Sequence, residues 1–127
     1  MTFARLEAGK RGEELVVAHL KKEGYKIITR NYRTKAGEID IIGDDKGCIS
    51  FIEVRYSNSR SFCPPRETVD TKKQAQIAKT ALSYIKRYTL EDVDCRFDVV
   101  CVEDVDTDFP KIRLIKDAFE LRPRYSY

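Results

Sequence analysis

The sequence predicts an α/β fold in which a central mixed sheet of about five strands is flanked by helices, in the order αβββαββ. Two segments show apolar residues at helical spacing, and five shorter segments are rich in β-branched and aromatic residues. The 127 residues are enough for one domain with one core. We therefore predict a single domain over residues 1–127, with a tail from about residue 121 that is expected to be disordered.

The first predicted helix runs from about Ala8 to Glu23 and ends at Gly24, because glycine is common just after a helix C-terminus. A stripe of Val16, Val17 and Leu20 is expected to be buried. Glu13 lies three and four residues before the two valines and therefore shares their face. A carboxylate there needs a partner, which is either a functional site or a buried Arg or Lys.

The second helix is predicted from about Lys72 to Tyr88, with Thr71 and Gln74 as a capping box. Lys72 and Lys73 lie in its first turn, where the helix dipole disfavours cations. Their position favours a visiting anion such as phosphate. The alternative is a pair of ordinary solvated lysines.

Two adjacent strand-like segments, Gly37–Asp40 and Phe51–Arg55, contain acidic residues within apolar sequence. Side chains on a strand alternate with period two. The first segment should therefore place Glu38, Asp40 and Ile42 on one face and Ile39 and Ile41 on the other. The second should place Phe51, Glu53 and Arg55 on one face, and Ile52, Val54 and Tyr56 on the opposite one.

The turn-forming residues 44–47 predict a hairpin between these segments. A two-residue loop at Lys46-Gly47 places Asp40 opposite Glu53, whereas a four-residue loop shifts the register by two residues. Both registers keep the two carboxylates on one face, where like charges repel. Mg²⁺ would relieve this repulsion, because it binds one or two carboxylates together with phosphate and water. The alternative is an edge hairpin whose polar face is in solvent.

Three further strands complete the predicted sheet: Tyr25–Asn31 before the hairpin, Phe97–Val102 after the second helix, and Lys111–Ile115 at an edge.

Composition excludes several classes of protein. No apolar run is long enough to span a membrane, and no signal peptide is visible, so a cytoplasmic protein is expected. One histidine and scattered cysteines without a C-x-x-C pair argue against a zinc site, and a disulfide framework is not expected. The net charge of +3 is unevenly distributed: residues 61–89 are basic and residues 91–108 are acidic. The basic part suits phosphate, or is simply a solvated helix face.

The predicted element order places acidic residues on the first helix (Glu13) and on the second and third strands (Asp40 and Glu53). This arrangement resembles the restriction-endonuclease-like, or PD-(D/E)xK, nuclease core. More closely, they resemble the YraN-like family of bacterial proteins, which is related in fold to archaeal Holliday-junction resolvases. The matching stretches span residues 9 to about 102: Gly9–Glu13, Gly24-Tyr25, Arg30–Arg33, Gly37–Asp40, Phe51–Arg55, Lys73 and Arg96–Val100.

The resemblance implies an endonuclease that uses Mg²⁺ or Mn²⁺ and acts on DNA, including branched or single-stranded DNA, with a homodimer as one arrangement. Asp40, Glu53 and the backbone carbonyl of Val54 would hold the metal. Glu13 would complete the acidic cluster, directly or through water.

The resemblance also implies that Lys73 contacts phosphate or supports the site, and Lys72 and Arg33 are the further candidate contacts to nucleic acid. One residue departs from the nuclease pattern, because Arg55 stands where the motif has lysine. Arginine stays protonated, so it stabilises charge on phosphate but does not serve as a general base. Three interpretations follow: an active nuclease with Arg55 as a catalytic residue, a non-catalytic nucleic-acid-binding protein with a degenerate site, and a protein-interaction domain that binds no nucleic acid.

Overall fold

The computed structural model describes residues 3–57, 69–105 and 107–120, with side chains from residue 9 onward. The predicted tail from residue 121 lies outside these residues. The elements follow the order αβββαββ: α1 (Phe3–Lys22), β1 (Lys26–Thr34), β2 (Gly37–Asp45), β3 (Cys48–Ser57), α2 (Thr71–Arg87), β4 (Cys95–Glu103) and β5 (Lys111–Phe119). The predicted fold class and element order are confirmed.

The five strands form one mixed sheet in the spatial order β1-β2-β3-β4-β5. Strands β3 and β4 are parallel, and the other neighbouring pairs are antiparallel. The parallel pair requires a crossover connection, and α2 lies within it. Strand β5 is an edge strand, as predicted, and extends four residues beyond the predicted end.

Each face of the sheet is covered by one helix. The face under α1 buries Val16, Val17 and Leu20 of the predicted stripe, together with Ile52 and Val100. The opposite face packs against the buried side of α2 through a core that includes Phe51, Phe97, Val99, Ile77 and Ala81. The functional residues of β3 are thereby divided between two faces with different neighbours.

The β2–β3 hairpin has the two-residue loop. Asp45 pairs with Cys48, so the four-residue alternative is wrong. The two loop residues, Lys46 and Gly47, have φ values of 53° and 93°. Two positive φ values are what a tight hairpin turn requires, and glycine adopts one without steric cost.

The strict alternation predicted for β2 is broken at Asp40. Ile39 packs into the core under α2, whereas Ile41 packs into the core under α1. The prediction that these two isoleucines share a face is therefore wrong. Across from Asp40, Asn31 of β1 has a left-handed φ of 53°. A left-handed residue locally rotates its own strand, so both paired strands are irregular at this point.

The capping-box prediction for α2 is also wrong. Asp70 is the N-cap, and its side chain accepts a hydrogen bond from the Lys73 amide at 2.8 Å. The Gln74 side chain instead donates to the Val69 carbonyl at 2.8 Å. Aspartate caps a helix as well as serine or threonine does, and it lies one residue earlier here.

A buried polar network joins the strands near the hairpin. Asp98 is completely buried and accepts hydrogen bonds from Tyr25, Ser50, Arg96 and the Asp117 amide. The same guanidinium also donates to Asp45 at 2.6 Å. Every strand except β1 contributes a hydrogen-bonding group to this network, and Tyr25 directly precedes β1. The network therefore links all five strands at one end of the sheet.

Cys101 is disulfide-bonded, although the sequence does not predict a disulfide framework, whereas Cys48 and Cys95 are free thiols. Within the described part of the chain, no helix has the length and apolar character needed to cross a membrane.

Candidate functional site

The two carboxylates of the hairpin meet where β2 and β3 stop pairing. The backbone partners between the strands extend only to Ile41 and Ile52. Beyond this point, the Val54 amide donates to Asp40 Oδ2 at 2.8 Å. A side-chain carboxylate thus takes over the role of a strand partner. This contact fixes Asp40 next to the segment Glu53-Val54, as the two-residue register predicts.

Glu53 is the buried member of the acidic pair, with an exposure of 8%. Its pKa is raised from 4.5 to about 8, first by burial and then by the hydrogen bond and the negative charge of Asp40. Its Oε2 has no hydrogen-bond partner among the described residues. A buried carboxylate oxygen of this kind is unfavourable for a purely structural residue.

Two cations lie beside the pair, and each lowers the pKa of Glu53 by its charge. Lys73 Nζ is 3.7 Å from Glu53 Oε2, which makes an ion pair but is too long for a hydrogen bond. Arg55 is partly buried, and its Nε has no hydrogen-bond partner within the described structure. The site therefore contains an acidic centre with two nearby cationic donors that have spare hydrogen-bonding capacity.

Glu13 does not occupy the buried position that helical spacing predicts. Its side chain is exposed, although the neighbouring stripe is buried. It lines a cavity of about 130 Å³ that also contacts Asp40, Val54 and Tyr56. Glu13 thus faces the candidate site from α1 without entering the core.

The other predicted nucleic-acid contacts lie at the surface. Lys72 is exposed in the first turn of α2. Arg33 is exposed on the edge strand β1, and its Nε is 3.3 Å from Glu38 Oε1. Lys73 therefore joins the acidic pair, whereas Lys72 lies beside it on the same helix and Arg33 belongs to the sheet edge.

The donor set fits a hard divalent cation. Asp40 and Glu53 supply two carboxylates, and the unpartnered Oε2 is the type of atom that a cation would satisfy. Among the described residues, no three Asp, Glu, His or Cys side chains converge closely enough to bind a metal. Glu13 therefore stands apart from the pair, and its role in metal binding, direct or through water, stays a prediction.

Two residues of the cavity were not identified as functional from the sequence. Tyr56 follows the Glu53–Arg55 segment, and period two correctly places it on the α1 face with Val54. Burial raises the pKa of its hydroxyl, as do the charges of Glu13 and Asp40. The exposed Asn31 also lines the cavity, and no local pattern marks its left-handed conformation.

Comparison with known proteins places this arrangement within a family. A family model described as "Uncharacterised protein family UPF0102" matches residues 12–102. A UPF0102 protein of Geotalea uraniireducens is 43% identical over 113 residues, which cover 89% of each chain. Relatives with the same name from Desulfosudis oleivorans and Syntrophus aciditrophicus are 41% and 42% identical, and the matches cover 94% and 91% of this chain and 95% and 91% of theirs. The matched region includes the acidic pair, both neighbouring cations and every residue that lines the cavity.

Proposed function

The chain belongs to the uncharacterised protein family UPF0102, and we propose that this member is a metal-dependent endonuclease that hydrolyses phosphodiester bonds in DNA. The observation that supports this proposal best is the Asp40–Glu53 pair, whose buried Oε2 lacks a hydrogen-bond partner within the described residues. Lys73 and Arg55 lie beside this pair. Acidic ligands with adjacent cationic donors are suited to a metal and the phosphate that it binds.

Asp40, Glu53 and the Val54 carbonyl would hold Mg²⁺ or Mn²⁺. When bound, this ion supplies polarisation of the phosphodiester and lowers the pKa of an attacking water. The amide of Val54 already orients the Asp40 carboxylate at 2.8 Å. Such pre-orientation reduces the reorganisation that metal binding would require.

The cations would bind and stabilise the phosphate. Arg55 has a free Nε donor in the described structure, and its guanidinium suits the bidentate recognition of phosphate oxygens. Because arginine remains protonated, this residue would stabilise developing negative charge rather than accept a proton. Lys73 would hold a neighbouring phosphate oxygen, and the exposed Lys72 would extend the same basic surface.

The decisive experiment incubates the protein with single-stranded, duplex, flap and four-way-junction DNA, with Mg²⁺, Mn²⁺ or EDTA. We expect metal-dependent cleavage that is lost in Asp40→Ala and Glu53→Ala. Glu38→Ala is the matched control, because Glu38 is an acidic residue of β2 that pairs with Arg33 at the edge. Cleavage that persists in both site variants would refute the site assignment.

A second candidate function is nucleic-acid binding without cleavage, which is favoured by arginine at position 55 in place of the motif lysine. Binding that weakens steeply with salt, without cleavage of any substrate, would support it. Arg55→Lys discriminates further. If arginine limits catalysis, this variant should cleave faster than the wild type, whereas an unchanged rate would show that Arg55 is not limiting.

A further inference from the structure

We propose that the cavity on the α1 face binds one unpaired nucleobase next to the cleaved phosphate, with Tyr56 as its stacking wall. This inference rests on the proposed nuclease function and specifies its substrate. The substrate class is DNA with unpaired nucleotides at the site of cleavage. A base within a duplex is stacked and paired, so it is not free to enter a pocket.

The size of the cavity suits a single aromatic ring. Its volume is about 130 Å³. An apolar protein cavity of roughly 150 Å³ accommodates one benzene molecule. The cavity is therefore of the order of size of a single six-membered ring, and it is too small for a base pair.

The lining combines apolar walls with a few polar groups, which is typical of a small-ligand site. Its apolar part comes from Val16, Val17, Ile41 and Val54. Tyr56 is 47% exposed, so its ring is available for stacking. The exposed Asn31 offers an amide donor and acceptor to a base edge.

The cavity adjoins the proposed metal centre through two shared residues, Asp40 and Val54. Asp40 lines the cavity and also lies against Glu53. A nucleotide whose phosphate approached this carboxylate through a bound cation would have its base within reach of the cavity. Aromatic stacking of this kind is tolerant of sequence and is common in proteins that bind single strands.

Gly12 of α1 provides the space for the Tyr56 ring. A Cβ at position 12 would lie 2.6 Å from Tyr56 Cε1 and 3.0 Å from its hydroxyl oxygen. By contrast, a Cβ at Gly9 would meet nothing within 4 Å. Alanine at position 12 should therefore displace the tyrosine, whereas alanine at position 9 should leave it in place.

The test measures binding in the presence of Ca²⁺, a hard cation that takes oxygen ligands as Mg²⁺ does. Gel electrophoresis of the recovered oligomers confirms that they remain intact. The probes are a short labelled oligothymidylate and an abasic oligomer of the same length and charge. We expect the wild type to bind the oligothymidylate roughly tenfold more tightly, because base stacking is absent from the abasic strand. Tyr56→Ala and Gly12→Ala should abolish this difference, whereas Tyr56→Phe should keep it.

Two matched controls separate a local effect from a general one. Gly9→Ala tests glycine replacement in the same helix, and Tyr88→Ala removes an equally exposed tyrosine from the end of α2. Both controls should retain the preference for the strand that carries bases. Equal affinity of the wild type for the two oligomers would overturn the inference, as would an unchanged preference in Tyr56→Ala.

Failure of this inference can be distinguished from failure of the nuclease proposal. Metal-dependent cleavage without a Tyr56-dependent preference for bases would support the nuclease proposal and overturn the base pocket. A Tyr56-dependent preference without cleavage would leave the pocket and support the non-catalytic alternative. Circular dichroism of each variant confirms that a loss of binding is not a loss of fold.

Discussion

Glu53→Gln should stabilise the metal-free protein at alkaline pH. In the wild type, burial and the neighbouring Asp40 raise the pKa of Glu53 from 4.5 to about 8. Between these two pH values, the unfolded chain releases the Glu53 proton while the folded chain retains it. Stability therefore falls as the pH rises through this window. Glutamine resembles the protonated acid in shape and cannot ionise, so the variant avoids this loss.

The size of the effect follows from the pKa interval. From 4.5 to about 8, the full linkage is at most about 5 kcal/mol, at ~1.4 kcal/mol per pH unit. Water at the mouth of the site and the partly exposed Lys73 screen part of this free energy. We therefore expect the variant to exceed the wild type by about 2–3 kcal/mol above pH 8, and to match it within about 1 kcal/mol below pH 4.5.

Urea denaturation in EDTA across this pH range measures the difference. Glu38→Gln is the matched control, since its carboxylate pairs with Arg33 at the partly exposed edge of the sheet. Its change in unfolding free energy should be small, because an ion pair at the exposed edge of a sheet contributes little. A Glu53→Gln variant that is equally or less stable than the wild type at pH 9 would refute the account of the buried carboxylate.

Three further predictions follow. In a thermal-shift assay, the rise in melting temperature caused by Mg²⁺ should grow between pH 6 and pH 8, because Glu53 must lose its proton to bind the ion; the affinity for Mg²⁺ should increase up to about tenfold per pH unit. Asp40→Asn should abolish this rise in melting temperature. Asp98→Asn should lower the free energy of unfolding, measured in urea, by about 3–5 kcal/mol, because the Arg96 guanidinium loses its buried carboxylate partner. A decrease of less than about 1 kcal/mol would contradict this prediction. Asp70→Ala should lower the free energy of unfolding in urea by about 1 kcal/mol, and Thr71→Ala should lower it much less, because Asp70 is the N-cap of α2. A larger decrease in Thr71→Ala would show that Thr71 caps the helix instead.

Local sequence patterns were sufficient to predict the elements and the hairpin. Helical spacing located the buried stripe Val16, Val17 and Leu20. Strand alternation placed Val54 on the α1 face and Glu53 on the opposite face, where it meets Lys73 of α2. The turn residues allowed two registers, and both kept Asp40 on the same face as Glu53. Patterns of this type succeed because they depend on residues close in sequence and on a single buried face.

The remaining features depend on contacts between distant segments. The face exchange at Asp40 accompanies the left-handed Asn31 on the neighbouring strand, which no pattern within β2 indicates. The Asp98 network likewise joins residues up to 73 positions apart. The exposure of Glu13 was missed because helical spacing gives the face of a residue but not the edge of the packed interface. Sequence reasoning therefore identified the acidic pair more reliably than its surroundings.

The irregularity at Asp40 explains how one carboxylate contacts Glu53 and also lines the cavity under α1. In a regular strand, Asp40 would point only toward the α2 face, where Glu53 and Lys73 lie. Because the alternation breaks there, Asp40 also lines the cavity under α1 with Glu13 and Tyr56. The Val54 amide holds it in this intermediate position at 2.8 Å. The proposed metal centre and the proposed base pocket thus share Asp40 and Val54. Displacing Asp40 should therefore impair both metal binding and base binding, whereas changes at Tyr56 should affect base binding alone.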